Sequence, residues 1–245
     1  QRVIKKVDRL FAVFSKEYEI YKEFTDKAEF VGHPLLDILK PENKEEIRNS
    51  LNIPINSQVI CLMPGSRKHE IDNLLPVFLE SVEILKKEKP SLEFILISSP
   101  LWKNYLEKKI KSIDLKIVTG NSSYYMQACD LALVASGTVT LEAALLKIPV
   151  IANYKLAKLS YLLAKILIKL DYFTLPNIIS DKKVIPEFLQ EDVNPNNLAK
   201  ESLLLLENLV IREKMLKDFE YIREVLKPEG AIKKTATNIL NMLKT

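Results

Sequence analysis

Glycine is scarce in this sequence. Only five of the 245 residues are glycine, where an average chain of this length has about 17. The backbone can therefore take a left-handed turn, or approach a ligand without an intervening side chain, at few points. These points are Gly32, Gly65, Gly120, Gly137 and Gly230. We expect some of the turns that contain them to be functional.

Other shortages exclude several protein classes. The two cysteines, Cys61 and Cys129, lie in apolar runs, which excludes a disulfide scaffold and indicates a reducing cytosol. No stretch of about 18 uncharged apolar residues is present, so no transmembrane helix is expected. The net charge is only +4, and most basic residues are lysine, which argues against a nucleic-acid-binding protein. With 47% apolar and 28% charged residues, the chain is typical of a globular protein with a large core.

The N-terminus suggests a longer protein. The chain begins with Gln1 and not methionine, and it reaches an apolar run at 10–14 almost at once. Charged residues interrupt the first ten positions, so this segment is not a secretory signal. We expect the chain to be part of something longer.

Short apolar runs alternate with amphipathic stretches through most of the chain. The runs predict strands at 10–14, 29–31, 58–63, 92–97, 115–118, 130–135 and 149–152. The stretches predict helices at 16–24, 43–51, 71–87, 101–113, 122–128 and 138–146, followed by a helical tail at 196–209, 212–226 and 231–243. This alternation predicts an α/β fold, with a Rossmann-like parallel sheet covered by helices on both faces.

Two strand-to-helix turns have the composition of an anion site. Gly65, Ser66 and Arg67 follow the strand at 58–63; the glycine permits close approach and the guanidinium suits a phosphate. Ser136, Gly137 and Thr138 follow the strand at 130–135 and lead into a helix whose first N–H groups can bind an anion. For the first turn, the alternative is that Ser66 only caps a helix and Arg67 is a surface charge.

Further polar residues follow the predicted strands. Glu142 lies about one turn into the helix after Thr138 and can accept from the two hydroxyls of a ribose; compensation of the helix dipole is the alternative. Residues 119–122 either pass near a base or form a plain N-cap. His33 either reaches the cleft or packs inside its loop. Asn177 either binds a sugar or diphosphate or satisfies a tight polar break at 174–179.

The sequence has no candidate metal site and one stretch that could contact a membrane. The two histidines are far apart, and no cluster of metal-ligating residues or Asp-x-Asp pair occurs, so we predict no metal and no cofactor. The stretch 156–173 is amphipathic, and Lys155, Lys158, Lys165 and Lys169 accompany its apolar stripe. It either lies on an anionic membrane surface or packs on the core with its lysines reaching solvent.

Five sequence blocks occur in a fixed order. They are FVGHPLLD at 30–37, LMPGSR at 62–67, ASGT at 135–138 with LEA at 141–143, DY at 171–172 with LPN at 175–177, and EFLQ at 187–190. In order and spacing they resemble the lipid-A-disaccharide synthase family of GT-B glycosyltransferases. The resemblance covers essentially the whole chain and implies the carboxyl-terminal, UDP-binding half of such an enzyme.

The resemblance implies a reaction and a set of binding residues. The enzyme would transfer 2,3-diacylglucosamine from its UDP carrier to 2,3-diacylglucosamine 1-phosphate with inversion, at the inner face of the cytoplasmic membrane. Arg67 would contact the donor diphosphate, Glu142 the ribose, and Asn177 the donor; Gln190 belongs to the last block, with a less defined role. The full predicted binding set is Gly65, Ser66, Arg67, Ser136, Gly137, Thr138, Glu142, Asn177 and Gln190. A homodimer is compatible with the resemblance.

The same resemblance predicts the domain organisation. Residues 1–27 would be the last βα unit of an amino-terminal domain, 28–226 the UDP-sugar-binding domain, and 227–245 a helix crossing back to the first domain. The catalytic aspartate of the family would lie in that amino-terminal half, so no catalytic residue is assigned to this chain. The alternatives are another GT-B enzyme that uses UDP-N-acetylglucosamine, a 2-epimerase or the peptidoglycan glycosyltransferase, or a non-catalytic nucleotide-binding module.

Overall fold

The structure is a computed structural model that describes residues 6–110, 115–155 and 171–243. Its strands are β1 (Leu10–Ala12), β2 (Ala28–Phe30), β3 (Val59–Met63), β4 (Glu93–Ser98), β5 (Lys116–Thr119), β6 (Leu131–Ala135), β7 (Val150–Tyr154) and β8 (Glu187–Leu189). Its helices are α1 (Ser15–Lys22), α2 (Leu35–Ile38), α3 (Lys44–Ser50), α4 (Lys68–Glu88), α5 (Lys103–Lys109), α6 (Ser122–Met126), α7 (Thr138–Leu145), α8 (Leu175–Ser180), α9 (Pro195–Glu207), α10 (Leu209–Val225) and α11 (Ala231–Met242). Short 3-10 turns cover Pro100–Trp102 and Gln190–Asp192.

Contacts divide the chain into two compact units. One comprises residues up to Lys40 and from Glu220 onward, and the other comprises Pro41–Phe219. The predicted domain limits at 27 and 226 stay a prediction.

The larger unit is built on a six-stranded parallel sheet in the order β5-β4-β3-β6-β7-β8. Strand β6 is buried along its whole length, and β3 and β7 are buried except for their last residue. Such strands are covered on both faces, which is why they are continuous apolar runs without polar alternation. The predicted α/β fold with a parallel sheet is therefore confirmed.

Helices complete the core of this unit. Helix α4 turns one apolar face inward, where Ile71, Phe78, Val82 and Leu85 are fully buried, and α9 packs against it. The two cysteines are free and buried in the same core.

Two local predictions were wrong. Residues 174–179, predicted as a polar break, are the N-cap Thr174 and most of helix α8, with Pro176 in its first turn, where a missing N–H costs nothing. The Glu187 carboxylate accepts from the N–H groups of Phe173 (3.3 Å) and Thr174 (2.8 Å). These N–H groups before α8 therefore have an acceptor that lies 14 and 13 residues further along the chain. In place of the predicted helix at 101–113, a 3-10 turn at Pro100–Trp102 leads into α5, which ends at Lys109; residues 111–114 lie outside the described residues.

The smaller unit contains the parallel pair β1-β2, with Leu10 opposite Ala28. Helix α11 begins after Gly230, and the Asp37 carboxylate accepts from the N–H groups of Gly230 (2.5 Å) and Ile232 (2.8 Å). Gly32 has a φ of 87°, and a Cβ there would lie 1.9 Å from the Pro228 carbonyl oxygen. No residue with a side chain fits that position without movement.

Most of the amphipathic stretch 156–173 falls outside the described residues, which resume at Asp171. In the part of the chain that is described, no helix combines the length and apolar character needed to cross a membrane.

Candidate functional site

A cavity of about 570 Å³ lies at the carboxyl ends of β3, β4, β5 and β6. In a parallel sheet the strand-to-helix turns meet at this edge, so residues distant in sequence converge there. The cavity is lined by Met63, Gly65, Ser66, Arg67, Glu70, Ile97, Ser98, Ser99, Pro100, Gly120, Ser122, Ala135, Ser136, Gly137, Thr138, Val139 and Glu142. Seven of the nine predicted binding residues are among them.

The turn after β3 wraps around a carboxylate. Glu70 accepts from the backbone N–H groups of Ser66 (3.0 Å) and Arg67 (3.1 Å), and from Arg67 Nη1 (2.8 Å). Gly65 has a φ of 120°, and a Cβ there would lie 2.5 Å from Glu70 Oε2. The glycine is therefore needed both for its backbone angle and to leave space for Glu70.

Arg67 remains accessible although it is paired. Its side chain is 72% exposed, whereas that of Glu70 is 15% exposed. Nη1 contacts Glu70 and Arg67 lines the cavity, so the other guanidinium nitrogens are available to bind an anion there. The side chain of Ser66 does not cap α4, which begins at Lys68 with Arg67 in the N-cap position.

The turn after β6 presents a helix start. Helix α7 begins at Thr138; the N–H of Thr140 donates to the Gly137 carbonyl (3.2 Å), and the N–H groups of Thr138 and Val139 have no acceptor within the helix. Ser136 donates its N–H to the Asn153 carbonyl (2.8 Å), which fixes the turn to β7. A Cβ on Gly137 would meet nothing within 4 Å, so the approach to the helix start is open. This is suitable geometry for an anion.

Glu142 faces the same cavity from the second turn of α7. Its position outside the first turn counts against the helix-dipole alternative. Burial raises the pKa of its carboxyl group above the ordinary value. Within the described residues no hydrogen bond or ion pair engages this carboxylate, so its oxygens can accept from a ligand.

The turns after β4 and β5 add polar residues that sequence reasoning largely missed. Ser98 ends β4 and Ser99 and Pro100 follow it, while Gly120 and Ser122 follow β5. The sequence predicted only the turn after β5, as a base contact or an N-cap, and Asn121 does cap α6 by accepting from the N–H of Tyr124 (3.2 Å). Glu70 was also missed, although a glutamate three residues after an N-cap is a known helix-start signal.

Asn177 and Gln190 lie outside the cavity. Asn177 is fully buried; its Oδ1 accepts from the N–H groups of Val184 (2.7 Å) and Ile185 (2.9 Å), and its Nδ2 donates to the Ile185 carbonyl (3.0 Å). This agrees with the structural alternative, since the amide joins α8 to the segment before β8. Gln190 is 8% exposed and opens the 3-10 turn after β8.

The histidines do not line the cavity either. His33 is buried in the smaller unit, where its ring lies 5.0 Å from that of Phe14 and its Nδ1 accepts from the Leu35 N–H (3.2 Å). Burial lowers its pKa. Across the described ranges, no three histidine, cysteine, aspartate or glutamate residues form a group that could hold a metal ion.

The fold and the position of the cavity define the class of protein. UDP-GlcNAc 2-epimerase from Neisseria meningitidis, in a structure with bound UDP-GlcNAc, has a TM-score of 0.65 at 17% identity, covering 96% of this chain and 62% of that one. The wall teichoic acid polymerase TagF has a TM-score of 0.57 at 17% identity, covering 98% and 57%. At this identity the likeness concerns the fold alone, and the chain is an α/β protein of the GT-B type.

Sequence relatives define the family. The family model LpxB, lipid-A-disaccharide synthetase, matches residues 1–239. The lipid-A-disaccharide synthase of Persephonella marina is 34% identical, covering 96% of this chain and 65% of that protein. The enzyme of Acinetobacter baylyi is 36% identical, covering 90% and 59%. The chain therefore belongs to the lipid-A-disaccharide synthase family, as the resemblance predicted, and spans less than two thirds of the length of these two relatives.

Proposed function

We propose that the cavity binds the UDP part of a nucleotide sugar. The observation that carries this proposal is the convergence of Arg67 and the start of α7 on one cavity, which provides a guanidinium and helix N–H groups for one diphosphate. Glu142 lies on the same wall and would accept from the ribose hydroxyls. The solved neighbours add support, because one contains UDP-GlcNAc and the S. aureus MnaA structure contains UDP.

We further propose that the sugar is 2,3-diacylglucosamine and the acceptor 2,3-diacylglucosamine 1-phosphate, as family membership implies. The acceptor 6-hydroxyl would attack the anomeric carbon with inversion while UDP leaves. Negative charge then collects on the leaving diphosphate, where Arg67 and the α7 N–H groups would stabilise it. Neither a metal nor another cofactor is part of the proposal.

The primary test is calorimetric titration of the purified chain with UDP, UMP and uridine. We expect affinity to fall in that order, because the phosphates would meet Arg67 and the α7 start. Equal affinity for the three would contradict a diphosphate site. Comparing UDP-glucosamine donors with and without acyl chains then separates a lipid substrate from the unacylated donor of a 2-epimerase or a peptidoglycan glycosyltransferase.

Because both substrates carry acyl chains, we also propose that the segment 156–173 contacts an anionic membrane surface. The basis is its sequence: an apolar stripe flanked by lysines. Replacing Lys158, Lys165 and Lys169 by glutamate should abolish co-sedimentation with phosphatidylglycerol vesicles. The matched control replaces three exposed lysines outside this segment, Lys87, Lys214 and Lys217, by glutamate and should leave vesicle binding intact. Equal loss in both variants would point to net charge and not to this segment.

A further inference from the structure

The single tryptophan of the chain contacts the loop that carries Arg67. Trp102 ends the 3-10 turn after β4, the strand beside β3 in the sheet. Its indole Nε1 donates a hydrogen bond of 2.8 Å to the carbonyl oxygen of Ser66. A residue 36 positions away therefore fixes the backbone of the turn after β3.

Neighbouring contacts hold the indole in place. The Tyr105 ring meets it edge-on, with the ring centroids 6.0 Å apart. The Tyr105 hydroxyl in turn donates to Asp72, which also pairs with Lys68 (2.6 Å). The hydroxyl contact attaches α5 to the first turns of α4, whereas the edge-on packing of the Tyr105 ring holds the indole and the direction of its N–H.

The hydrogen bond acts on one peptide group. The Ser66 carbonyl and the Arg67 N–H belong to the same planar trans peptide and point in opposite directions. The Trp102 indole donates to the carbonyl, and the Glu70 carboxylate accepts from the N–H at 3.1 Å. If the peptide rotated, the Ser66 oxygen would be free to face the cavity and repel an anion. The Arg67 side chain would also leave the backbone in a different direction.

We propose that Trp102 is a positioning residue for the diphosphate: through the Ser66 carbonyl it fixes the peptide from which Arg67 reaches the cavity. This inference rests on the proposed UDP binding. It assigns to Trp102 an effect on the phosphates and none on the nucleoside.

The test removes the indole N–H and measures phosphate-dependent binding. One variant carries benzothienylalanine at position 102, which keeps the shape of the indole without its N–H; a second is Trp102→Phe. We expect UDP to bind roughly threefold to tenfold more weakly, the effect of one hydrogen bond, while uridine affinity stays unchanged. A role in general packing would weaken both ligands alike and would overturn the proposal.

Tyr105→Phe is the matched control. It removes the hydroxyl contact to Asp72 but leaves the ring beside the indole and the N–H to Ser66 intact. We expect wild-type affinity for UDP; a loss equal to that of the position-102 variants would place the effect in α5 and overturn the proposal. Unchanged UDP affinity in those variants would overturn it while leaving the proposed function standing. If wild-type protein does not bind UDP, both fail.

Discussion

Arg67 combines two properties that are seldom found together on a protein surface. Its side chain is largely exposed, yet one guanidinium nitrogen is held by a mostly buried carboxylate. A fixed guanidinium loses less conformational entropy when it binds a ligand than a free one does. The Arg67–Glu70 pair is thus better suited to preorganising an anion site than to stabilising the fold, since exposed ion pairs contribute little to stability.

Replacing Arg67 by alanine should weaken UDP binding by about 2 kcal/mol, or roughly 30-fold, because charge-assisted hydrogen bonds to the diphosphate are lost. Arg67→Lys should recover only part of this, since an ammonium keeps the charge but not the planar fork. Calorimetry of the two variants beside wild type gives the comparison. Unchanged affinity in Arg67→Ala would contradict the assignment.

Glu142 should make nucleotide binding sensitive to pH. In the proposed site its carboxylate would accept from the two ribose hydroxyls, and the protonated form would accept less well. Burial raises the pKa of Glu142, so protonation begins at a higher pH than for an ordinary glutamate. Between about pH 7 and about pH 5, UDP affinity should therefore fall more in wild type than in Glu142→Gln. The ratio of the two affinities at each pH cancels titration of the phosphate. A ratio independent of pH would exclude Glu142 from ribose binding.

At the scale of elements, the long apolar strands were predictable and the short edge strand was not. Strands β3 and β6, and residues 94–97 of β4, are runs of apolar residues, which sequence patterns reveal because both faces are covered. Strand β8 has three residues, none of them fully buried, and the sequence did not predict it. Helix α8 was missed because its ordering contacts, from Glu187 and to Ile185, come from later in the chain.

The residues of the cavity also divide into those with a local sequence pattern and those placed by contacts distant in sequence. The turns after β3 and β6 carry the site within a few consecutive residues, and parallel topology guarantees that their ends meet. The contact of Trp102 with Ser66 spans 36 residues and has no local signature. Asn177 is the opposite case, a residue that the sequence placed in the site and the structure does not. It lies in a family block and was expected near the donor, but it is fully buried.

Helix α3 is fixed to the sheet by a buried ion pair. Arg48 is 4% exposed and donates to Asp130 (2.8 Å) and to the carbonyls of Ala128 (2.8 Å) and Ser57 (3.0 Å). Burial raises the pKa of Asp130, but the hydrogen bonds from Lys44 and Val59 and the charges of Lys44 and Arg48 outweigh it, so the pKa lies below its ordinary value. The ionised Asp130 carboxylate therefore stabilises the fold at pH values above its pKa in the unfolded chain. This stabilisation is lost as the pH falls through the pKa of Asp130 in the folded protein.

Arg48→Met should destabilise the protein by about 3 kcal/mol, because Asp130 and several carbonyls lose a buried partner. Urea denaturation at neutral pH measures this. The matched control is Lys182→Met, which breaks the more exposed pair with Asp218 and should cost less than about 1 kcal/mol. Equal destabilisation by the two substitutions would mean that the buried pair contributes no more to stability than the exposed pair.

At the scale of the whole molecule, the cavity is chemically suited to the leaving group. Its acidic lining residues in the described chain are Glu70 and Glu142, and no histidine lines it. Glu70 is occupied by Arg67 and two N–H groups, and Glu142 is proposed to bind the ribose. Neither is available to remove a proton from an acceptor hydroxyl, a role that requires a base within hydrogen-bond distance of it.

The 245-residue chain alone should therefore bind UDP yet form no disaccharide above background when supplied with acylated donor and acceptor. The reason is that this part would stabilise the diphosphate that leaves, whereas the base that activates the acceptor is proposed to belong to sequence that the longer relatives contain. The lipid-A-disaccharide synthase of Persephonella marina, 34% identical, is the positive control for substrates and detection. Disaccharide formation by the chain at a rate near that of the control would place the base within these 245 residues. Variants of Glu70 and Glu142 would then identify it, because only loss of the base lowers turnover while UDP affinity is retained.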